Sequence, residues 1–152
     1  MKFGHTNLIA RDWRKLVEFY QQVFRCTPLP PERDMKGDWL DQATAVKGAH
    51  IRGIHMRLPG YGDDGPTLEI FSYMGGAAGD AQSPGQSNQL GFSHIAFAVD
   101  DVAAVTKKVI EHGGSEVGAY TERKVEGVGW LSFQYMADPE GNIVEIQNWR
   151  RE

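Results

Sequence analysis

Four residues in this chain combine the types and spacing that metal chemistry needs: His5, Glu69, His94 and Glu145. Two imidazoles and two carboxylates make a mixed N/O donor set suited to one divalent ion such as Zn, Ni, Co, Mn or Fe. If the ion is six-coordinate, positions remain for water or substrate. Taken singly, a histidine or glutamate on a strand is more often a satisfied structural residue or part of a solvated face. Repetition reverses those odds. Phe3, His5 and Asp12 recur as Phe92, His94 and Asp101 at a constant offset of 89 residues. Gly65, Glu69, Ile70 and the aromatic Tyr73 recur as Gly141, Glu145, Ile146 and the aromatic Trp149 at an offset of 76. Each half therefore opens on a segment with a His and closes on one with a Glu. The first half holds 13 more residues between them, an excess expected to lie in loops.

The elements that must position these residues are legible within each half. Asp12 is placed to cap a helix whose apolar residues Trp13, Leu16, Val17, Tyr20, Val23 and Phe24 recur at three and four. Asp101 is placed to cap a shorter one carrying Val102, Val105, Val109 and Ile110 and stopped at Gly113-Gly114. After the first helix, Trp39 to Val46 and His50 to Leu58 read as strands two and three, with Lys47-Gly48 as a turn. After the second, Glu116 to Thr121 and Val128 to Met136 fill the same roles, and Asp138-Pro139-Glu140-Gly141-Asn142 is a strong turn signal before the final strand. The order β-α-β-β-β twice predicts an α+β fold of two tandem βαβββ modules, forming a curved sheet or open barrel with the helices outside. We expect a single domain over 1–152, with module one at 1–73, a Gly-, Ser- and Gln-rich linker at 74–90 and module two at 91–150.

Strand phase then predicts which side chains share a face, because successive residues alternate. His5 falls with Phe3, Asn7 and Ile9, opposite Leu8 and Ala10. Glu69 falls with Thr67, Phe71 and Tyr73, opposite Leu68 and Ile70. His94 falls with Phe92, Ala96 and Ala98, and Glu145 with Ile143, Gln147 and Trp149, opposite Val144 and Ile146. Each strand has an aliphatic face fit to sit under a helix, and the ionisable residue lies on the other. That second face also carries aromatics, which fits a concave, partly apolar pocket with a few convergent polar groups.

Other residues belong with this pocket as candidate substrate contacts. His55 and Arg57 fall opposite Ile54, Met56 and Leu58; Arg57 suits a substrate carboxylate or phosphate, and His55 a proton carrier or supporting donor. Phe71, Tyr73 and Trp149 are candidate lining residues, as is Trp130, although aromatics on strands are more often plain core. His50, beside a turn, and His112, at a helix end, read as surface residues. The single cysteine, Cys26, excludes an internal disulfide and has no activating neighbour in the sequence. Gly75-Gly76 and Gly113-Gly114 lack the strand-to-helix context of a phosphate loop.

Composition narrows the partners. The chain has 152 residues, 41% hydrophobic and 24% charged, ordinary usage for a globular domain with a real core. A formal charge of −4 offers no basic footprint for nucleic acid or an anionic membrane. The N-terminal residues hold no apolar run fit for a signal peptide or span, so a cytoplasmic protein acting on a small molecule is expected.

These residues resemble the vicinal oxygen chelate superfamily, which includes lactoylglutathione lyase (glyoxalase I), methylmalonyl-CoA epimerase, extradiol dioxygenases and resistance proteins for bleomycin and fosfomycin. The resemblance covers nearly the whole chain. It is carried by His5-Thr6, Glu18-Phe19-Tyr20, Leu68-Glu69-Ile70-Phe71, His94-Ile95-Ala96, the Asp138 to Asn142 turn and Val144-Glu145-Ile146. It implies metal ligation by His5, Glu69, His94 and Glu145, as in bacterial lactoylglutathione lyases. It further implies proton transfer through a metal-bound enediolate with Glu145 and Glu69 as the catalytic carboxylates, and pairing as a homodimer. The chain departs from those enzymes where they carry an Arg four residues after the first His, here Ile9, and an Asn four residues after the first Glu, here Tyr73; both help hold glutathione there. The resemblance leaves three activities open: a metal-dependent lyase or isomerase acting on an α-hydroxycarbonyl or thioester compound, an Fe(II) extradiol-type dioxygenase, and a metal-free binding protein.

Overall fold

The computed structural model describes residues 1–75 and 86–151, and the chain divides into two compact units, Met1–Ala81 and Gln82–Glu152. Much of the expected linker, residues 76–85, lies outside the described residues. Among the described residues there are nine strands and three helices in two open sheets, one per unit, which is the expected α+β class.

In the first unit, strand β1 (His5–Ile9) leads into helix α1 (Trp13–Phe24), strand β2 (Thr27–Lys36), helix α2 (Asp38–Thr44), strand β3 (His50–Arg57) and strand β4 (Thr67–Tyr73). The sheet order is β1-β4-β3-β2, with β1 parallel to β4 and the other pairs antiparallel. Helix α1 starts where expected, with the Asp12 carboxylate accepting from the backbone N–H of Arg14 and Lys15. Ser72 ties that start to the sheet: its hydroxyl accepts from Trp13 N at 3.0 Å and donates to Ala10 O at 2.7 Å. Leu16, Phe19 and Tyr20 of α1 are buried, as are Leu8, Ile54, Met56, Leu68 and Ile70 of the sheet's aliphatic face, and α1 lies against β3 and β4. Each fully buried side chain of this kind contributes about 1.5–3 kcal/mol.

Two expectations about this unit are corrected. Trp39 to Val46 is not a strand; Asp38–Thr44 is helix α2, and the second strand is Thr27–Lys36. Three prolines, Pro28, Pro30 and Pro31, argue against a strand wherever backbone N–H groups are needed. Strand β2 is the sheet's edge, with a register shift between Leu29 and Arg33, and an edge tolerates proline. The 13 extra residues of the first half are accordingly not all loop, since they include α2. That helix buries Leu40 in a cluster with Ala49, Ile51 and Phe71, and Asp41 accepts from the backbone N–H of Gly48 and Ala49.

In the second unit the order is strand β5 (His94–Ala98), helix α3 (Val102–Glu111), short strand β6 (Ser115–Glu116), strand β7 (Thr121–Val125), strand β8 (Gly129–Ala137) and strand β9 (Ile143–Arg150). The sheet runs β5-β9-β8-β6 with β7 also on β8, and β5 is parallel to β9. The expected strand Glu116 to Thr121 is corrected to two pieces. Val117 and Gly118 instead donate their backbone N–H to Tyr135 O, so the chain bends between β6 and β7. Asp101 caps α3, which lies against β8 and β9, and Val109, Met136, Val144 and Ile146 of these elements are buried. The Asp138 turn forms as expected, its carboxylate accepting from Glu140 N and from both the backbone and side-chain N–H of Asn142.

Candidate metal centre

Pairing register places the candidate residues of each unit on a grid. On one face of the first sheet, His5 of β1, Thr67 of β4, Arg57 of β3 and Thr27 of β2 form one row. Asn7, Glu69, His55 and Leu29 form the next, and Ile9, Phe71, Gly53 and Arg33 the third. Glu69 is the focus. Its Oε2 lies 3.4 Å from His5 Nε2 and accepts from Asn7 Nδ2 at 3.1 Å, and its Oε1 lies 3.0 Å from His55 Nε2. The Glu69 side chain is 12% exposed and that of His5 is 51% exposed, so the carboxylate is sheltered while the imidazole reaches solvent. Burial holds the His55 pKa below that of an ordinary imidazole, against the opposing charge of Glu69; Arg33 and His5 lower it further. A neutral ring is the form that donates a nitrogen lone pair to a metal.

The second unit repeats the pair. His94 Nε2 lies 3.0 Å from Glu145 Oε2, and the Glu145 side chain is 14% exposed. Tyr135, in register with Glu145, packs its ring edge-on to His94 with centroids 5.1 Å apart, and Phe133 packs on Tyr135 at 5.6 Å. Burial, and then the charge of Glu145, push the Tyr135 hydroxyl above the ordinary phenol pKa. Trp149, two residues beyond Gln147, is partly exposed and donates Nε1–H to Gln147 Oε1 at 2.9 Å.

The structure thus brings His5 to Glu69 and His94 to Glu145, and adds His55 to the first pair. Arg57 stands in the His5 row, with Nη2 2.8 Å from Asp63 Oδ1. Phe71 is buried under α2 in the Leu40 cluster, its ring edge-on to His55 with centroids 5.9 Å apart, and Tyr73 packs partly buried on the same cluster. His50 is bound to Asp34 at 2.6 Å, away from this set. Sequence reading missed Asn7 and Tyr135. Asn7 was legible as the residue sharing a face with His5, two positions on. Tyr135 was legible only through its register against Glu145, which strand phase cannot supply.

Among the described residues no group of three or more His, Cys, Asp or Glu side chains is arranged as a finished metal site. The donor chemistry nevertheless fits a divalent ion: each His–Glu pair offers one imidazole nitrogen and one carboxylate oxygen from neighbouring parallel strands, both near the surface of a sheltered face.

Comparison with known proteins identifies the family and the fold. The family model of the glyoxalase/bleomycin resistance protein/dioxygenase superfamily matches residues 2–146, so the chain belongs to that superfamily. No curated protein matches it. Among solved structures, a glyoxalase-family protein of Bacillus cereus is similar at a TM-score of 0.82 and 15% identity, covering 98% of this chain and 94% of that one. The genomically encoded fosfomycin resistance protein FosX of Listeria monocytogenes gives 0.58 and 16%, covering 100% and 94%. A glyoxalase I variant from Zea mays gives 0.64 and 20%, covering 99% of this chain and 45% of that one. At these identities the likeness is one of fold. Among the described residues no helix is long and apolar enough to cross a membrane.

Proposed function

We propose that the protein is a metal-dependent lyase or isomerase of the glyoxalase type, moving a proton on a small α-hydroxycarbonyl or thioester compound. The observation that carries this reading is the repeated pair, His5 with Glu69 and His94 with Glu145, at equivalent places in two sheets. His5, Glu69, His94 and Glu145 would together hold one divalent ion, within one chain or across a homodimer. What the ion supplies when bound is Lewis acidity toward the substrate's carbonyl oxygen. Glu145 takes the proton from the carbon beside that carbonyl, and Glu69 is the symmetric carboxylate able to return one. His55, Arg57 and Trp149 orient the substrate, while Phe71 and Tyr73, expected from sequence as lining residues, pack in the Leu40 cluster and back that face. The test is exchange of the substrate α-hydrogen with deuterated water, followed by NMR on any compound that a screen of α-hydroxycarbonyls and thioesters shows to be turned over. Exchange is expected; turnover without breaking the carbon–hydrogen bond would remove the proposal. Light scattering is expected to give a dimer, and a monomer at every concentration would count against the pairing.

A second reading, an Fe(II) dioxygenase, is favoured by one observation. His5, His55 and Glu69 lie together in a single unit and have the two-histidine, one-carboxylate composition of the facial triad. Iron in the purified protein together with oxygen uptake would move this reading ahead.

A further inference from the structure

We propose that Arg57 anchors an oxyanion subsite, so that the substrate carries a carboxylate or phosphoryl group, and that Asp63 is the resident carboxylate this group displaces. The subsite deepens the function proposed above, and only the identity of its anion as the substrate rests on that reading.

Arg57 Nε is buried and has no hydrogen-bond partner, the one side-chain polar atom in that condition among the described residues. Buried donors are nearly always paired, and a guanidinium donor left without an acceptor is costly, so this N–H is poised for an oxygen that the fold does not provide. A guanidinium offers its N–H groups as a planar fork matched to two oxygens of a carboxylate or phosphate. One arm of the fork is taken: Nη2 lies 2.8 Å from Asp63 Oδ1. Asp63, however, is 89% exposed, at the corner of a turn closed by Gly65 N–H donating to Gly62 O. An ion pair that exposed is weak and exchangeable.

The surroundings support an anion here. Arg57 shares the row of Thr67 and His5, with Thr67 directly opposite and its hydroxyl 3.4 Å from His55 Nδ1. Arg33 stands on the same face two rows away, opposite Gly53, with Nη1 donating to Pro31 O at 3.0 Å, and adds a second positive charge to that face. The nearest carboxylate on that face, Glu69, is already engaged by Asn7, His5 and His55. Two strand spacings of about 5 Å separate the Arg57 and His5 backbones. A substrate held at Arg57 by its anionic end would thus extend its reacting end toward the His5 and Glu69 pair.

The test is titration of the metal-free, 15N-labelled protein with acetate and, separately, inorganic phosphate at constant ionic strength, observing the Arg57 Nε–Hε resonance. A saturable shift is expected. Asp63→Asn removes the competitor and should tighten binding about two- to five-fold, the scale of an exposed ion pair. Arg57→Lys keeps the charge but not the fork and should weaken binding about ten-fold or more. Response to acetate alone assigns a carboxylate substrate, and response to phosphate alone a phosphoryl one. No shift with either anion, or equal binding by wild type and Asp63→Asn, overturns the proposal. Asp63 lies on an exposed turn, so that variant decides the matter even if Arg57→Lys does not fold. Loss of anion binding with metal binding intact would leave the lyase reading standing, and anion binding by a protein that never takes up metal would remove that reading and keep the subsite.

Discussion

Glu69 and Glu145 occupy the same place in two copies of one sheet, yet their surroundings differ. Three side chains reach the Glu69 carboxylate: His55 at one oxygen, and Asn7 and His5 at the other. Among the described residues the corresponding partner of Glu145 is His94 alone, with Tyr135 where the first unit has His55 and Ala96 where it has Asn7. The difference extends along the face. Beyond Glu69 the first sheet carries Gly53 and a Phe71 ring buried under α2, whereas beyond Glu145 the second carries Phe133, Gln147 and a partly exposed Trp149. The two units share a frame and differ in what surrounds the carboxylate. A carboxylate held by three donors is suited to stay in place, and one held by a single imidazole is suited to move and take a proton.

The largest expected consequence of that division is kinetic. Glu145→Gln keeps size and one ligand oxygen but is a far poorer base, and should lower turnover by about 10²-fold or more while metal is largely retained. Steady-state kinetics with metal analysis of the same sample checks this, and full activity in that variant would break the comparison.

Next in size is a packing effect confined to the first unit. A Cβ at Gly53 would collide with Ile70 O and the Phe71 ring, so Gly53→Ala should cost about 1–3 kcal/mol, the usual scale of overpacking. Cys26 reports on it directly: the thiol is buried, and burial pushes its pKa up to about 12, so it should resist a thiol reagent until the first unit opens. Gly53→Ala is expected to speed that labelling, and Phe133→Ala, at the matching place in the second unit, to leave it nearly unchanged. Equal acceleration by both would mean that the two units do not open separately.

The smallest expected effect is a pH dependence. His55 titrates below an ordinary imidazole because burial disfavours its charged form. Its contribution to stability is therefore fully present above about pH 6.5, the unfolded value, and is lost as pH falls through the lower folded value. Urea midpoints of metal-free protein should fall across that window, and His55→Gln should flatten the fall. An unchanged slope would show that His55 is not held neutral by the fold.

Much of this was legible in the sequence because the repeat ties residues far apart in the chain to equivalent positions. The offsets of His5 to His94 and Glu69 to Glu145 gave the two modules, and alternation gave the face each residue takes. Asp12 and Asp101 marked helix starts because a capping carboxylate is a local signal. The second strand of the first unit was hidden because Pro28, Pro30 and Pro31 argue against a strand everywhere except at an edge, and edge position is a property of the assembled sheet. Helix α2 was hidden because it buries only Leu40, which leaves no apolar stripe to read. Strand β7 reads Thr-Glu-Arg-Lys-Val, a charged edge with no buried alternation. Tyr135 depends on cross-strand register, which bulges and loop lengths set beyond the reach of phase alone, whereas Asn7 follows from its phase with His5.

The most direct test of the proposed centre is the metal content of the purified chain and of its His5→Ala/His94→Ala double variant, measured by inductively coupled plasma mass spectrometry after removal of loosely bound ions. The expected result is one divalent ion per chain in the wild type and little in the double variant, since losing both imidazoles leaves two carboxylates with too few donors. Full metal content in the double variant would contradict the assignment of His5, Glu69, His94 and Glu145 as one centre.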